Sequence, residues 1–257
     1  MKVLVCVKRV PFTGGKMVLA PDSKALETRH LGFTISPHEE CGVEEAVRIV
    51  EAGGAGSGES VVLTLGPPEA VEQLRDAMAL GIDRAIHLKT DGNEWDGEAT
   101  AAAIVGAIRA DEEASGPFDL VFFGNESADS AGFQVGIRIA YALGRPCVTG
   151  LKKVTIDGTS VRCEQEVEGG RDVYVVPLPA VLTVKEGLNL PRYPSVPGKM
   201  RARTKPVAVS APARPEPRLE LVKLAVPAGQ GRRAESLGSG AAAAPAIVEM
   251  LQKAGII

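Results

Sequence analysis

What most constrains this chain is an alternation. From residue 2 to about residue 150, short apolar runs take turns with stretches whose apolar residues recur at helical spacing. Strands linked through helices close by right-handed crossovers, and a series of them builds a parallel sheet covered on both faces. Val3 to Val7 is a continuous apolar and β-branched run, as a strand buried on both faces requires. A helix is expected over Val43–Ala52, with Val43, Ala46, Val47 and Val50 on one face and Gly53-Gly54 as its stop. Ser60–Leu65 reads as the next strand. The helix after it carries Val71, Leu74 and Met78 and ends at Gly81. Arg84–Leu88 and Leu120–Phe123 read as strands, Glu98–Ala110 and Gln134–Leu143 as the helices that follow them. Between Pro11 and Pro37 the chain is irregular, with Gly14-Gly15, Pro21-Asp22 and Ser36-Pro37 as breakers.

Beyond residue 150 the pattern changes. Turns at Ile156-Asp157-Gly158 and Glu168-Gly169-Gly170 separate strand-like runs, so antiparallel strands up to residue 184 are expected to extend the sheet edge. From Lys205 to about Pro245 the sequence is rich in Pro, Ala, Gly and charge with no periodic apolar face. That composition makes an arm and not a second core. A short helix with Ile247, Met250 and Leu251 on one side is expected to close it. The expected division is an α/β domain over 1–204 and an extended C-terminal arm over 205–257.

Composition narrows the function classes. A net charge of −3 gives no basis for nucleic acid as a partner. Cys6, Cys41, Cys147 and Cys163 form no CxxC, and with His30, His38 and His87 they offer little for a structural zinc site. Unpaired cysteines, no signal-peptide pattern and no apolar run of membrane-spanning length fit a cytoplasmic protein that does not insert in a membrane.

In a parallel sheet, ligands sit beyond the carboxyl ends of the strands. The loop after the fourth strand, Gly124-Asn125-Glu126-Ser127-Ala128-Asp129-Ser130-Ala131-Gly132-Phe133, then Gln134-Val135-Gly136 opening a helix, suits that position. Small residues admit a ligand close to the backbone, and the free N–H groups of the helix's first turn suit a phosphate. Ser127 and Asp129 are placed to bond a ribose or base. The bland alternative is an ordinary polar loop with a helix cap. Lys8-Arg9 at the end of the first strand either meets a phosphate or flavin or is simply solvated. No GxGxxG follows the first strand and no phosphate-loop motif occurs, which argues against ordinary NAD-dependent and P-loop enzymes. Glu39, Glu40, Glu44 and Glu45 read as dipole stabilisation of a helix start. Glu164, Glu166 and Glu168 share one face of a strand, which by spacing alone is a solvated edge that discourages aggregation. No nucleophile–base arrangement nominates an active site.

Several blocks stand in the order seen in electron transfer flavoprotein β subunits, and this chain resembles that family. They are Val7-Lys8-Arg9-Val10-Pro11, Val43-Glu44-Glu45-Ala46-Val47-Arg48, Ala77–Ala85, Gln134-Val135-Gly136, Glu166-Val167-Glu168-Gly169-Gly170, Leu178-Pro179-Ala180-Val181 and Leu188-Asn189-Leu190-Pro191-Arg192-Tyr193. The resemblance covers about 1–207. It implies a Rossmann-like (adenine nucleotide alpha hydrolase-like) α/β domain in a non-catalytic electron carrier, paired with an α subunit that holds most of the redox FAD. Such proteins pass electrons from dehydrogenases, typically of acyl-CoA, to a quinone reductase. Their β subunit buries an AMP, or a second FAD in bifurcating relatives. The nucleotide-binding residues it implies here are Val7, Lys8, Ser36, Leu65, Gly124, Asn125, Glu126, Ser127, Asp129, Gly132, Phe133, Gln134 and Val135. The partner-recognition loop falls at Arg192–Arg201, with Tyr193, Val196, Pro197 and Met200, and Glu166 matches an acid that steadies docking. This sequence departs from the family at Phe12-Thr13, Ser36, Asn125-Glu126, Leu190 and Val196. A nucleotide-binding regulatory protein of the same sheet class, without redox function, is the alternative; it needs neither the Leu188–Tyr193 block nor the arm.

Overall fold

The computed structural model describes residues 1–12, 14, 17–54, 56–226 and 235–257. In chain order the strands are β1 (Lys2–Cys6), β2 (Val10–Pro11), β3 (Phe33–Thr34), β4 (Glu59–Gly66), β5 (Arg84–Lys89), β6 (Leu120–Gly124), β7 (Cys147–Asp157), β8 (Ser160–Val167), β9 (Gly170–Pro177), β10 (Ala180–Val184) and β11 (Val207–Ser210). The helices are α1 (Pro37–Ala52), α2 (Val71–Leu80), α3 (Gly97–Ser115), α4 (Val135–Leu143), α5 (Val196–Ala202) and α6 (Ala244–Lys253). A nine-stranded sheet runs β11-β5-β4-β1-β6-β10-β7-β8-β9, and β2 pairs with β3 in a separate small ribbon.

β1 shows why the sheet is central. Val3 and Val5 point into one core with Val43, Val47, Leu74, Met78 and Ile82, from α1, α2 and the α2–β5 turn. Leu4 and Cys6 point into the other with Ile104, Ile108, Phe123 and Ile139, which α3, β6 and α4 supply. Alternation of side chains across a strand turns one continuous apolar run into two buried faces. β1 pairs in parallel with β4 on one side and with β6 on the other. The chain therefore leaves β1 toward β4 and returns to its other side as β6, which makes the β1–β6 boundary the switch point where loops diverge and a cleft opens.

The structure corrects three expectations. Ala180–Val184 is not part of an antiparallel edge. It lies inside the sheet, parallel to both β6 and β7, and all five residues are buried. The antiparallel extension is β7-β8-β9 alone. α1 begins at Pro37, earlier than expected, because Ser36 caps it: the Ser36 side chain accepts from the His38 N–H, and Glu39 reaches back to the Ser36 N–H to complete a capping box. The segment expected to be a recognition loop contains the short helix α5, whose cap is Ser195 and whose first turn accommodates Pro197.

The segment after Lys205 first adds β11 to the sheet edge beside β5. It then crosses the chain's own surface: Arg214 donates to the Glu94 carbonyl at 2.8 Å, and Arg218 pairs with Glu98 at 3.0 Å. α6 has no buried residue, and Ile247, Val248 and Met250 on it are exposed.

Candidate functional site

At the carboxyl edge of the sheet, the loop from Gly124 to Gln134 spans the end of β6 and the start of α4. Its root is held firmly. The Asn125 N–H donates to the Val184 carbonyl at 2.9 Å, and the Asn125 side-chain oxygen accepts from Thr183 Oγ1 at 2.8 Å. A Cβ on Gly124 would stand 2.8 Å from Glu39 Cγ, so only glycine lets the loop leave β6 beside α1. Farther out, Ser127 and Ser130 hydroxyls lie 2.9 Å apart, and the Ala131 N–H donates to the Ser127 carbonyl at 3.1 Å. Ala131 and Phe133 then adopt left-handed backbone, φ 45° and 54°. Non-glycine residues avoid that region, at a cost of about 1–3 kcal/mol each, and hold it where the surroundings or a bound group favour it.

α4 follows without a side-chain cap. By geometry the N–H groups of Val135, Gly136 and Ile137 have no acceptor within the helix. Gly136 brings the helix against the sheet: a Cβ there would meet Thr183 Cγ2 at 2.9 Å and the Phe123 ring at 3.3 Å. The residues present thus fit a phosphate, which would meet amide donors and the positive end of the helix dipole.

β1 brings a second wall. Val7 is buried, and its carbonyl accepts from Thr64 Oγ1 at 2.8 Å. Lys8 Nζ pairs with Asp129 at 2.8 Å and with Glu94 at 2.6 Å. Partial burial lowers the Lys8 pKa, but the two carboxylates outweigh it and the net shift is upward. Burial likewise works against the Asp129 carboxylate, and Lys8 reverses it, so Asp129 ends below its ordinary value. Ser36 Oγ reaches the Glu126 carbonyl at 3.3 Å, and His38 Nε2 stands 3.4 Å from Glu126 Oε1. Glu39 ties these walls together: its two carboxylate oxygens accept from the Lys8 and Ser36 N–H groups, each at 3.0 Å. Burial pushes its pKa up to about 8, against the pull of those two donors and of Lys8. Leu65 lies at the end of β4, half-buried against the second core. Gly132, Phe133 and Gln134 are exposed, and Gln134 accepts from Arg138 Nε at 3.2 Å.

The structure therefore gathers Val7, Lys8, Ser36 and the 124–135 loop at one switch point. It adds Glu39, His38, Glu94 and Thr183, which sequence reasoning missed. The Ser36–Glu39 spacing was the available signal for the first two, since it is a capping-box pattern. Phe12 stands exposed just after β2, where its N–H donates to the Gly32 carbonyl at 2.9 Å, and Thr13 lies outside the described residues.

A second surface lies elsewhere. Tyr193 is 96% exposed, Val196 74% and Met200 65%, and Pro197 is exposed beside them. Arg192 does not join them. Its guanidinium lies on α1, where Nε reaches Glu44 at 2.9 Å and Nη1 reaches Glu51 at 2.8 Å. Arg48 also pairs with Glu44, at 2.8 Å. Glu45 accepts from Asn189 Nδ2 at 2.8 Å. The acids of α1 thus do more than stabilise a helix start. Burial raises the Glu44 pKa, but Arg192 and Arg48 more than offset it, leaving Glu44 below its ordinary value. Glu166 is exposed on β8, across from Arg171 in the register, while Arg171 itself pairs with Glu164 at 3.1 Å. Glu164 is not part of an open acidic strip: Arg162, Arg171 and Lys153 converge on it. No group of three or more metal-ligating side chains occurs among the described residues, and no helix there is long and apolar enough to cross a membrane.

A mostly parallel nine-stranded sheet with helices on both faces defines a Rossmann-like α/β protein, and comparison with known sequences gives the family. The family model described as the electron transfer flavoprotein domain matches residues 25–215. The chain is 36% identical to the electron transfer flavoprotein subunit beta of Syntrophomonas wolfei over 227 residues, covering 88% of this chain and 86% of the relative. It is 38% identical over 209 residues to the mitochondrial subunit beta of Arabidopsis thaliana, 80% of each chain, and 34% identical over 209 residues to that of Bacillus subtilis, 80% of this chain and 77% of the relative. The chain belongs to the electron transfer flavoprotein beta-subunit family.

Proposed function

We propose that this chain is the β subunit of a heterodimeric electron carrier that passes electrons from flavin dehydrogenases, of the acyl-CoA type, to a quinone reductase, and that it binds a structural AMP. The carrying observation is the uncapped start of α4 behind a loop with Ala131 and Phe133 in left-handed backbone, at the β1–β6 switch point. In this reading the amides of Val135 and Gly136 hold the phosphate, and Ser127 and Asp129 face the nucleoside. Lys8 keeps Asp129 in place. Ser36 and Glu39 fix the wall opposite. FAD, held mainly by an α subunit, supplies the redox chemistry, and this chain supplies orientation and electrostatics around it. The exposed Tyr193–Met200 surface and Glu166 dock the transient partners. The arm lies along the α subunit, which is supported by the uncovered apolar face of α6. The setting is the cytoplasm.

The test is co-expression with an α subunit. The isolated chain is expected to be nearly colourless. The co-purified pair is expected to be yellow and to bleach on adding a reduced acyl-CoA dehydrogenase. A pair that stays oxidised under those conditions, yet holds its nucleotide, would support the regulatory alternative.

A further inference from the structure

The docking segment carries its exposed apolar side chains on a frame that uses none of them as anchors. On the α1 side the Arg192 N–H donates to Glu44 Oε2 at 3.1 Å, and the Arg192 fork bonds Glu44 through Nε and Nη2 and Glu51 through Nη1 and Nη2, at 2.8–3.1 Å. Asn189 Nδ2 adds bonds to the Cys41 carbonyl at 3.0 Å and to Glu45 at 2.8 Å. On the α2 side, a Cβ on Gly198 would stand 2.5 Å from the Ala79 carbonyl oxygen, so α5 sits directly on α2. Arg75 Nη1 donates to the Ala202 carbonyl at 2.5 Å and to the Lys205 carbonyl at 2.7 Å, which pins the end of α5. Between the two anchors, Leu190, Tyr193, Val196 and Met200 are 65–96% exposed.

Resting on the docking function proposed above, we propose that Arg192 is a positioning residue for electron transfer: its fork on Glu44 and Glu51 holds the Leu190–Met200 segment in its binding shape before a partner arrives. A guanidinium is suited to this because its planar fork can bond two carboxylates at once, where an ammonium acts as a point charge. Glu44 is 2% exposed, so the clamp is rooted in the core and not in a solvated surface pair. A segment already ordered when free avoids part of the ordering cost of association.

The experiment uses the heterodimer with its α partner and an acyl-CoA dehydrogenase reduced by octanoyl-CoA as the probe. Glu51→Gln and Arg192→Lys are each expected to raise the apparent KM for the carrier about three- to tenfold, the scale of freeing one or two ordered side chains, and to lower the maximal rate by less. Hydrogen exchange should quicken across residues 188–200, the Arg192 amide included, while flavin and nucleotide content stay at wild-type levels. Val196→Ala, which touches the docking side chain and leaves the clamp intact, should raise KM without quickening exchange. A wild-type KM in both clamp variants, with KM raised in Val196→Ala, would overturn the clamp and leave docking standing. Wild-type exchange over 188–200 in both clamp variants would overturn it as well. A wild-type KM in Val196→Ala would remove the docking reading and this inference with it.

Discussion

The two candidate regions are built by opposite logics. In the 124–135 loop the backbone is held in costly conformations, helix amides are left without acceptors, and glycines bring chain segments into close approach. In the 188–203 segment the anchoring donors, Asn189 Nδ2 and the Arg192 fork, and the Ala202 carbonyl have found partners within the chain, and it is apolar side chains that face outward. Unmet polar capacity in a cleft suits a small anionic ligand. Apolar surface on an ordered frame suits a transient protein partner, whose pocket gains from excluding water. Unsatisfied donors mark where a small ligand would sit, and exposed apolar residues on an ordered frame mark where a protein would.

If the regions are separate, variants in one should leave the other unmoved. The largest effect is expected from Gly136→Val. Its side chain would run into Thr183 and Phe123, forcing α4 off the sheet. Overpacking of this kind costs about 1–3 kcal/mol, so denaturant melts should show the loss, and the purified pair should lack its nucleotide. The KM for dehydrogenase should rise little beyond what lost stability explains.

Glu39→Gln sharpens the same side through pH. The folded pKa of Glu39 is about 8, above its value of 4.5 in an unfolded chain. Its contribution to stability is therefore complete below about 4.5 and is lost as pH rises through about 8. Glutamine cannot ionise and offers one acceptor oxygen where the carboxyl group serves two N–H donors. The wild type should be the more stable by about 1 kcal/mol, the worth of one hydrogen bond, at pH 5, and the gap should narrow by pH 9. Unfolding curves at the two pH values decide it; a gap that stays level or widens with pH would show that Glu39 is ionised in the fold across the whole range.

Smaller effects belong to the docking side. Val196→Ala should slow reduction at sub-saturating protein about three- to tenfold, on the basis of about 0.8 kcal/mol per buried CH₂. Its melting temperature should not change, because Val196 is already 74% exposed. Glu166→Ala should have the least effect, less than about fivefold, as exposed ion pairs do. The check is the same rate assay, repeated at raised salt, where the difference from wild type should shrink.

Much of this was legible in the sequence, for identifiable reasons. β1 and β6 could be read because a strand buried on both faces has no alternation to disguise it. The β6–α4 loop could be placed at the carboxyl edge of the sheet because the crossover rule fixes which strand ends lie there. β10 was misplaced because its apolar run directly follows an antiparallel ribbon, and local pattern does not say which strands will be its neighbours. The start of α1 was hidden by Ser36-Pro37, which breaks a helix in mid-run but begins one here. α5 was hidden by its prolines in the same way. The contacts of Arg192 with Glu44 and Glu51 are invisible in the sequence because these partners stand more than 140 positions away, and no spacing rule reports contacts at that range.

The proposed function turns on an adenine nucleotide, distinct from the redox flavin, held at the β1–β6 switch point. The most direct test is to release small molecules by heat from the purified heterodimer and to count them by mass analysis against protein. One AMP and one FAD per heterodimer is the predicted result. Two FAD and no AMP would contradict the assignment of AMP and place a second flavin in the cleft, and a pair carrying FAD alone would contradict the nucleotide site itself.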